Sequence, residues 1–418
     1  MRTENSPLNQ NGKAMRLLGF LCPLIYFASY LTRKNYSVVM AEIIISEGIS
    51  NSQASLAATL SLISYGAGQI ISGILGDKFK PQNIILCGLA STALMNAAMP
   101  LAESFSLRAA IWFINGFAQS MLWPPLVKIM AASMDKKSYD NCCVNVNIAG
   151  ISGTILLYLS SSAIWIKYFS WKYVFYSSAA VCALITLIWL FGFSKLRRLQ
   201  THSEKESEAA ASAGQRGKRL SGRALLSSGF IFIAIGIIAQ GALRDGITDW
   251  VPSFIISTFN MESSSAILKS VILPVFGVLS IKAVGIVNGK IVRDELKGSA
   301  VTFTAAALGC ALLFLLYAKN QYVTLFAAAA ITGLMHAVNF FLVCVVPARF
   351  EKYGIVSTMS GVINSLTYVG SAAATYGFGA IAGNFGWSAA VISWFITAAL
   401  GAVCCFAAIK PWRRFIRE

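Results

Sequence analysis

Arg33 lies inside a long apolar run of the sequence, with Tyr30 three and Tyr26 seven residues before it, a spacing that sets all three on one face of a helix. Arg244 lies inside a second such run, in the segment LRDGITDW. Burying an arginine in an apolar medium costs at least about 2.5 to 3.5 kcal/mol on insertion scales, so each of the two needs a chemical reason. A guanidinium stays charged at any ordinary pH and presents a planar fork that fits two oxygens of a phosphate or a carboxylate. A pair of such groups makes an anion site. The structural alternative is that each arginine pairs with an acidic neighbour, Arg244 with Asp245 or Asp249, and only locks helices together. No carboxylate in the first run is close enough to neutralise Arg33, which favours the anion site.

Other polar residues recur at helical spacing within apolar runs. Asn115, Gln119 and Trp123 stand at i, i+4 and i+8, as do Tyr65, Gln69 and Gly73, while Asn364 and Tyr368 are four apart. These sets are expected to line one cavity. For the tyrosines the alternative is an interfacial belt or core packing. His336 is a candidate substrate or proton site, against the plainer reading of a hydrogen-bonded packing residue. Lys282 is close enough to Lys290 to snorkel out of an apolar run. Small-residue stripes such as Gly68, Ser72 and Gly76, or Gly379 and Gly383, read as close helix packing, and GFGAIAG lacks the preceding strand of a phosphate loop.

The elements that carry these residues follow from composition. The chain has 418 residues, of which 56% are hydrophobic and 12% charged, with a formal net charge of +17, and its mean hydropathy is +0.65. Soluble domains are about a quarter charged, so this balance excludes a soluble enzyme, a nucleic-acid-binding domain and a disordered protein. The excess of 34 Lys and Arg over 17 Asp and Glu is what cytoplasmic loops of a polytopic membrane protein collect. The nine cysteines show no metal-like spacing and read as small hydrophobes. The first apolar run is too long for a cleaved signal peptide and is read as a mature span.

A spanning helix takes about 20 apolar residues, and the sequence offers twelve: roughly 15–40, 54–76, 83–101, 106–132, 142–165 and 171–194, then 226–250, 265–289, 299–318, 321–347, 355–382 and 387–410. Between the sets lies a polar stretch, Lys195 to Arg223, expected to be a flexible cytoplasmic linker. The domain division is therefore an N-terminal six-helix half over 1–194, a linker over 195–225 and a C-terminal six-helix half over 226–418. Lys13, Arg16, Lys78, Lys80, Lys136, Lys137, the linker cluster, Lys290, Arg293, Lys297, Arg349, Lys352 and Lys410 to Arg417 fall on one side. The other side holds few basic residues, among them Arg108, Lys167, Lys172 and Lys319, so both termini are placed in the cytoplasm.

The halves repeat one another. Arg33 precedes Gly73 of GILGDK by 40 residues and Arg244 precedes Gly285 of GIVNGK by 41, while FSW at 169–171 and FGW at 385–387 open the sixth and twelfth spans. An all-α membrane protein of two pseudo-symmetric six-helix halves, with a site between them near the midplane, is the architecture of major facilitator transporters. In that arrangement Arg33 and Arg244 face one another across a central cavity.

The segments YLTRKNYS, SYGAGQIISGILGDKFKPQ, FINGFAQSMLWPP and LRDGITDW together resemble the organophosphate:inorganic phosphate antiporter family of glycerol-3-phosphate and hexose-phosphate transporters. The resemblance implies Arg33 and Arg244 as phosphate ligands, with Tyr26, Tyr30, Tyr65 and Trp123 lining the site and Tyr368 near the pore. Two departures stand out. Gln69 occupies the place of a second-span lysine found in glycerol-3-phosphate transporters, and the fifth span reads CCVNVNIAG, with Asn147 nearest to a family histidine. The implied protein is a secondary transporter with no catalytic chemistry and no cofactor. It moves a phosphorylated compound or similar small organic anion in exchange for inorganic phosphate. The alternatives are an ion-coupled organic-anion carrier and a transporter-like sensor of sugar phosphates. The expected setting is the lipid bilayer of a bacterial inner membrane, as a monomer, with no nucleic-acid partner.

Overall fold

A computed structural model describes residues 12–48, 51–165, 168–204, 220–261, 269–287, 294–316 and 319–417. All regular structure among them is helical: α1 (Gly12–Glu47), α2 (Asn51–Lys78), α3 (Pro81–Ala98), α4 (Phe105–Ser120), α5 (Trp123–Ser133), α6 (Lys136–Ser160), α7 (Trp171–Glu204), α8 (Gly222–Ser227), α9 (Phe230–Phe259), α10 (Ile272–Val287), α11 (Glu295–Leu316), α12 (Gln321–Asn339) and α13 (Val356–Arg417). Among the described residues, eight helices are each long and apolar enough to cross a membrane. One of these, α13, holds two spans, because Gly386 breaks it with φ 82° and ψ 172°, a backbone region that only glycine enters freely. The other three spans are the broken α4–α5 pair, the more polar α6 and the short α10, which together give the expected twelve.

Local sequence explains where the helices start and stop. Ser104 caps α4 by accepting from the Leu107 N–H, and Asn320 caps α12 by accepting from Tyr322 and Val323. The fourth span is not one helix as expected. It stops at Ser120 and restarts at Trp123, with Pro124 and Pro125 in the first turn of α5, where no intrahelical N–H is lost. Most helices overrun the apolar runs. At 36 residues, α1 is about 54 Å long, well beyond a hydrocarbon core of about 30 Å. The polar stretch from Lys195 is a second correction: α7 runs on through it to Glu204, and α8 forms at 222–227. The heart of that linker, 205–219, lies outside the described residues, as do Lys167, Lys290 and Arg293.

The chain divides into two compact units, one of Met1–Lys218 with Phe350–Val362, the other of Arg219–Arg349 with Ile363–Glu418. In the first, α1 packs on α6 and α7, α2 on α4, and α3 on α4 and α7. Phe350–Val362 belongs to this unit. Asp77 of α2 accepts the Ser357 and Thr358 N–H groups, at 3.1 and 2.7 Å, in the first turn of α13. Lys128 of α5 completes the cluster, 3.6 Å from Asp77 and bonded to the Gly76 carbonyl at 2.8 Å. A carboxylate on a helix N-terminus satisfies donors that the helix itself cannot.

Arg108, read from sequence as a loop residue, is instead buried in the first turns of α4. It donates to Glu47 at 2.6 Å and to the Ala102 carbonyl at 2.9 Å, and lies over the Trp171 ring.

In the second unit, α12 packs against α9, α10 and α11. Buried Glu295 accepts both arms of Arg349, at 3.0 and 2.9 Å, and the Trp412 indole N–H. Glycine lets α9 and α13 touch backbone to backbone. A Cβ on Gly241 would stand 2.1 Å from the Thr367 carbonyl oxygen, and one on Gly370 would stand 2.0 Å from that of Ile238. All nine cysteines are free thiols, and every one but Cys87 is buried.

Candidate functional site

In the first unit, helical periodicity carries Tyr26, Tyr30 and Arg33 along one face of α1. The Arg33 guanidinium lies over the rings of Tyr30 and Tyr65, 4.7 Å from each centroid. Aromatic faces stabilise a cation without accepting its in-plane hydrogen bonds. Tyr26 extends the aromatic wall, 5.2 Å from the Tyr30 ring and 4.9 Å from the Trp123 ring. Trp123 is the first residue of α5, directly after the break in the fourth span. From α6, Gly150 comes so close that a Cβ there would stand 3.0 Å from both tyrosines.

Two further members of this group carry polar atoms of note. Gln69, one turn after Tyr65, is wholly buried, and neither atom of its amide has a hydrogen-bond partner among the described residues. The indole N–H of Trp123 is in the same condition. Such groups cost roughly 1–3 kcal/mol each when left unsatisfied, and they suit a site that receives a polar ligand. Asn147, half-buried on α6, donates to the Cys143 carbonyl of its own helix at 2.8 Å.

Asn115 and Gln119 depart from the expectation that they line a cavity. Both are wholly buried and committed to other helices. Ser29 donates to the Gln119 carbonyl at 2.6 Å, and the Gln119 amide donates to the Thr32 hydroxyl at 2.7 Å. Asn35 donates to Asn96 at 2.7 Å, while Asn96 and Asn115 both donate to the Thr32 carbonyl at 3.2 Å. This network ties α1 to α3 and α4 immediately beside Arg33. It fixes where the guanidinium stands, and Asn96, which the sequence reading passed over, is its hub.

In the second unit, Arg244 of α9 is paired bidentately with Asp245, Nε and Nη2 each 2.8 Å from a carboxylate oxygen. The same carboxylate accepts from Ser371 of α13 at 2.6 Å. One turn on, Asp249 accepts from Thr375 at 3.0 Å and the Trp250 indole donates to the Thr375 carbonyl at 2.8 Å. Thus α9 and α13 meet in a repeating register of carboxylate on hydroxyl. His336 of α12 is half-buried within electrostatic reach of Arg244 and Asp245. Behind it, Gln240 ties α9 to α12 by donating to the Met335 carbonyl at 3.2 Å.

Tyr368 and Asn364 precede Ser371 by three and seven residues on α13 and so share its face. Lys282 on α10 is exposed. A groove of about 850 Å³ opens at the α2–α3 turn, lined by Leu75, Lys78, Phe79 and Cys87 among others, and no candidate residue lines it.

The structure thus gathers Arg33, Tyr26, Tyr30, Tyr65, Gln69 and Trp123 in one unit, with Asn147 on the adjoining α6, and Arg244 with His336 in the other. Comparison with known proteins agrees with this architecture. The Major Facilitator Superfamily profile matches residues 24–318. A probable hexose phosphate transport protein of Chlamydia muridarum is 22% identical over 388 residues, covering 87% of this chain and 84% of that protein. The glycerol-3-phosphate transporter of Bacillus subtilis is 22% identical over 409 residues, covering 94% and 91%. Among solved structures, the proton:xylose symporter XylE superposes with a TM-score of 0.73 at 14% identity, covering 95% of each chain. The relatives fit the organophosphate:phosphate antiporter resemblance read from the motifs. The chain belongs to the Major Facilitator Superfamily and is a multi-pass integral membrane transporter with the twelve-helix fold of that superfamily.

Proposed function

We propose that the protein carries a phosphorylated organic compound, or a similar small organic anion, across the membrane by alternating access in exchange for inorganic phosphate. The observation that carries this reading is the Arg33 guanidinium held between the Tyr30 and Tyr65 rings inside a spanning helix. A fixed cation caged by aromatic faces is a costly feature that anion recognition explains. The names of the relatives, transporters of hexose phosphate and glycerol-3-phosphate, agree with it.

In this reading Arg33 and Arg244 bind the anion from the two repeats. Tyr26, Tyr30, Tyr65, Gln69 and Trp123 shape the first repeat's side, and Asn147, His336 and Tyr368 complete the lining. An anion that engages both arginines favours the occluded state. The protein works as a monomer of two six-helix halves, in a bacterial inner membrane. Both termini and the 195–225 connection lie in the cytoplasm, on the strength of the basic-residue asymmetry.

Purified protein in liposomes preloaded with radiolabelled phosphate, and challenged outside with hexose phosphates, glycerol 3-phosphate and carboxylates, tests the proposal. Release of label driven by an external organophosphate supports exchange. Uptake that needs an imposed ion gradient favours an ion-coupled carrier, and tight binding without flux favours a sensor.

A further inference from the structure

Adjacent residues on a helix point about 100° apart and do not normally face each other. Yet Arg244 and Asp245 close a two-bond ring, with Nε and Nη2 each 2.8 Å from the carboxylate. The carboxylate is also held by Ser371 on the neighbouring α13, whose single hydroxyl proton goes to Oδ2 at 2.6 Å, the shortest of the three acceptor contacts within its reach, ahead of the Thr367 and Gly241 carbonyls at 3.0 and 3.3 Å. Asp249, one turn further along α9, bonds Thr375 instead. Of two acidic residues near the arginine, only the one held by Ser371 takes the fork. The Nε–Nη2 edge of Arg244, one of the two edges on which a guanidinium grips a phosphate or carboxylate bidentately, is therefore filled by a carboxylate of the protein's own.

We infer that Asp245 is a tethered anion which a transported anion displaces from the Nε–Nη2 edge of Arg244, so that this residue sets the affinity and the charge preference of the site. The inference rests on the proposed function, in which Arg244 binds the anion. With Asp245 in place the pair carries no net charge. When a ligand takes the fork, Asp245 keeps the Ser371 hydroxyl as its partner and adds a negative charge beside the bound anion. That charge opposes a dianion more than a monoanion, because the repulsion scales with the product of the charges. Asp245 therefore weakens binding overall and biases the site toward less charged ligands. A carrier has a use for weak binding, since a cargo that is never released is never transported.

The test is calorimetry on the full-length protein in detergent at pH 8, with inorganic phosphate as the dianion and lactate as the monoanion, comparing wild type with Asp245→Asn. The expected result is that phosphate binds at least tenfold more tightly to the variant, with a smaller gain for lactate. Equal affinities in the two proteins overturn the inference and leave the proposed function standing, because the wild type then binds the anion. Phosphate binding to neither protein overturns the proposed function and the inference with it. Binding to the variant alone supports the inference.

Should Asp245→Asn not purify as a monodisperse protein, wild-type protein gives a second readout. A hydrophobic carbodiimide, mapped by peptide mass spectrometry, should label Asp245 at least threefold more in saturating phosphate, because the carboxylate has left the guanidinium. Unchanged or reduced labelling at Asp245 overturns the inference.

Discussion

The Arg33 guanidinium lies over the ring of Tyr65 at 4.7 Å, although the two residues belong to different helices, α1 and α2. The ring face is the feature that matters, so removing the hydroxyl and removing the ring should have separate effects. Tyr65→Phe is expected to keep substrate affinity within about twofold, whereas Tyr65→Leu should weaken it by roughly 5- to 30-fold, the range of a partly desolvated cation–π contact of about 1–2 kcal/mol. Equilibrium binding to both variants checks this, and equal losses would point to the hydroxyl.

Charge alone will not replace the arginines. An ammonium keeps the positive charge but loses the planar fork, so Arg33→Lys and Arg244→Lys should each cut phosphate exchange by about one to two orders of magnitude while leaving insertion and monodispersity intact. Exchange in proteoliposomes at wild-type rates would show that the substituted residue is structural.

The Arg244–Asp245 pair makes the structural alternative separable from the functional one. Arg244→Ala removes the guanidinium that offsets the half-buried Asp245 charge and should lower thermal stability by about 2 kcal/mol. The double variant Arg244→Ala, Asp245→Asn should recover most of that stability and none of the transport. Recovery of both would mean that the pair only joins helices.

Gln69 gives a prediction with opposite signs in two assays. Its amide is buried with no hydrogen-bond partner among the described residues, so Gln69→Leu, close in volume, should leave the ligand-free melting temperature unchanged or higher. If the amide meets the anion, the same variant should bind phosphate several-fold less tightly. A lower melting temperature with unchanged binding would remove Gln69 from the site.

Asn96 is the hub of the network behind Arg33, and its loss strands several partners at once. Asn96→Leu should cost about 2–4 kcal/mol, because Asn35, Asn115 and the Thr32 carbonyl each lose a bond in an apolar setting. Thermal unfolding in detergent measures this directly.

How much of this could be read from the residues depends on what kind of pattern was asked for. Span positions were legible because about 20 apolar residues in a row have few other uses, and the break at Gly386 falls between the two runs expected there. The Tyr26, Tyr30 and Arg33 face was legible because α1 is continuous through it.

Asn115 and Gln119 misled because periodicity says which residues share a face, not what that face meets. They meet α1 and α3 rather than a cavity. The signal that would have found the network was Asn96, an amide in the middle of an apolar run, with Ser29 and Thr32 one turn apart in another. Arg108 was misplaced because counting basic residues near span ends treats every one as solvated, whereas this one finds Glu47 and a carbonyl to bury against. The Arg244–Asp245 ring was one of two open readings. Choosing between them needed Ser371, which is 126 residues away in sequence.

The glycine contacts between α9 and α13 bear on how the Arg244 fork can change hands. With Gly241 against the Thr367 carbonyl and Gly370 against that of Ile238, sliding either helix along the other would bring a side chain to a place where even a Cβ stands about 2 Å from a carbonyl oxygen. The same packing holds Asp245 and Ser371 in register, so the two helices are expected to move together. Release of the fork needs rotation about the Asp245 side-chain bonds once its two bonds to Arg244 break, a smaller displacement than a shift of packed helices. On the proposed reading, the Asp245 side chain governs which anion is held, and the locked backbones of α9 and α13 govern what moves with it.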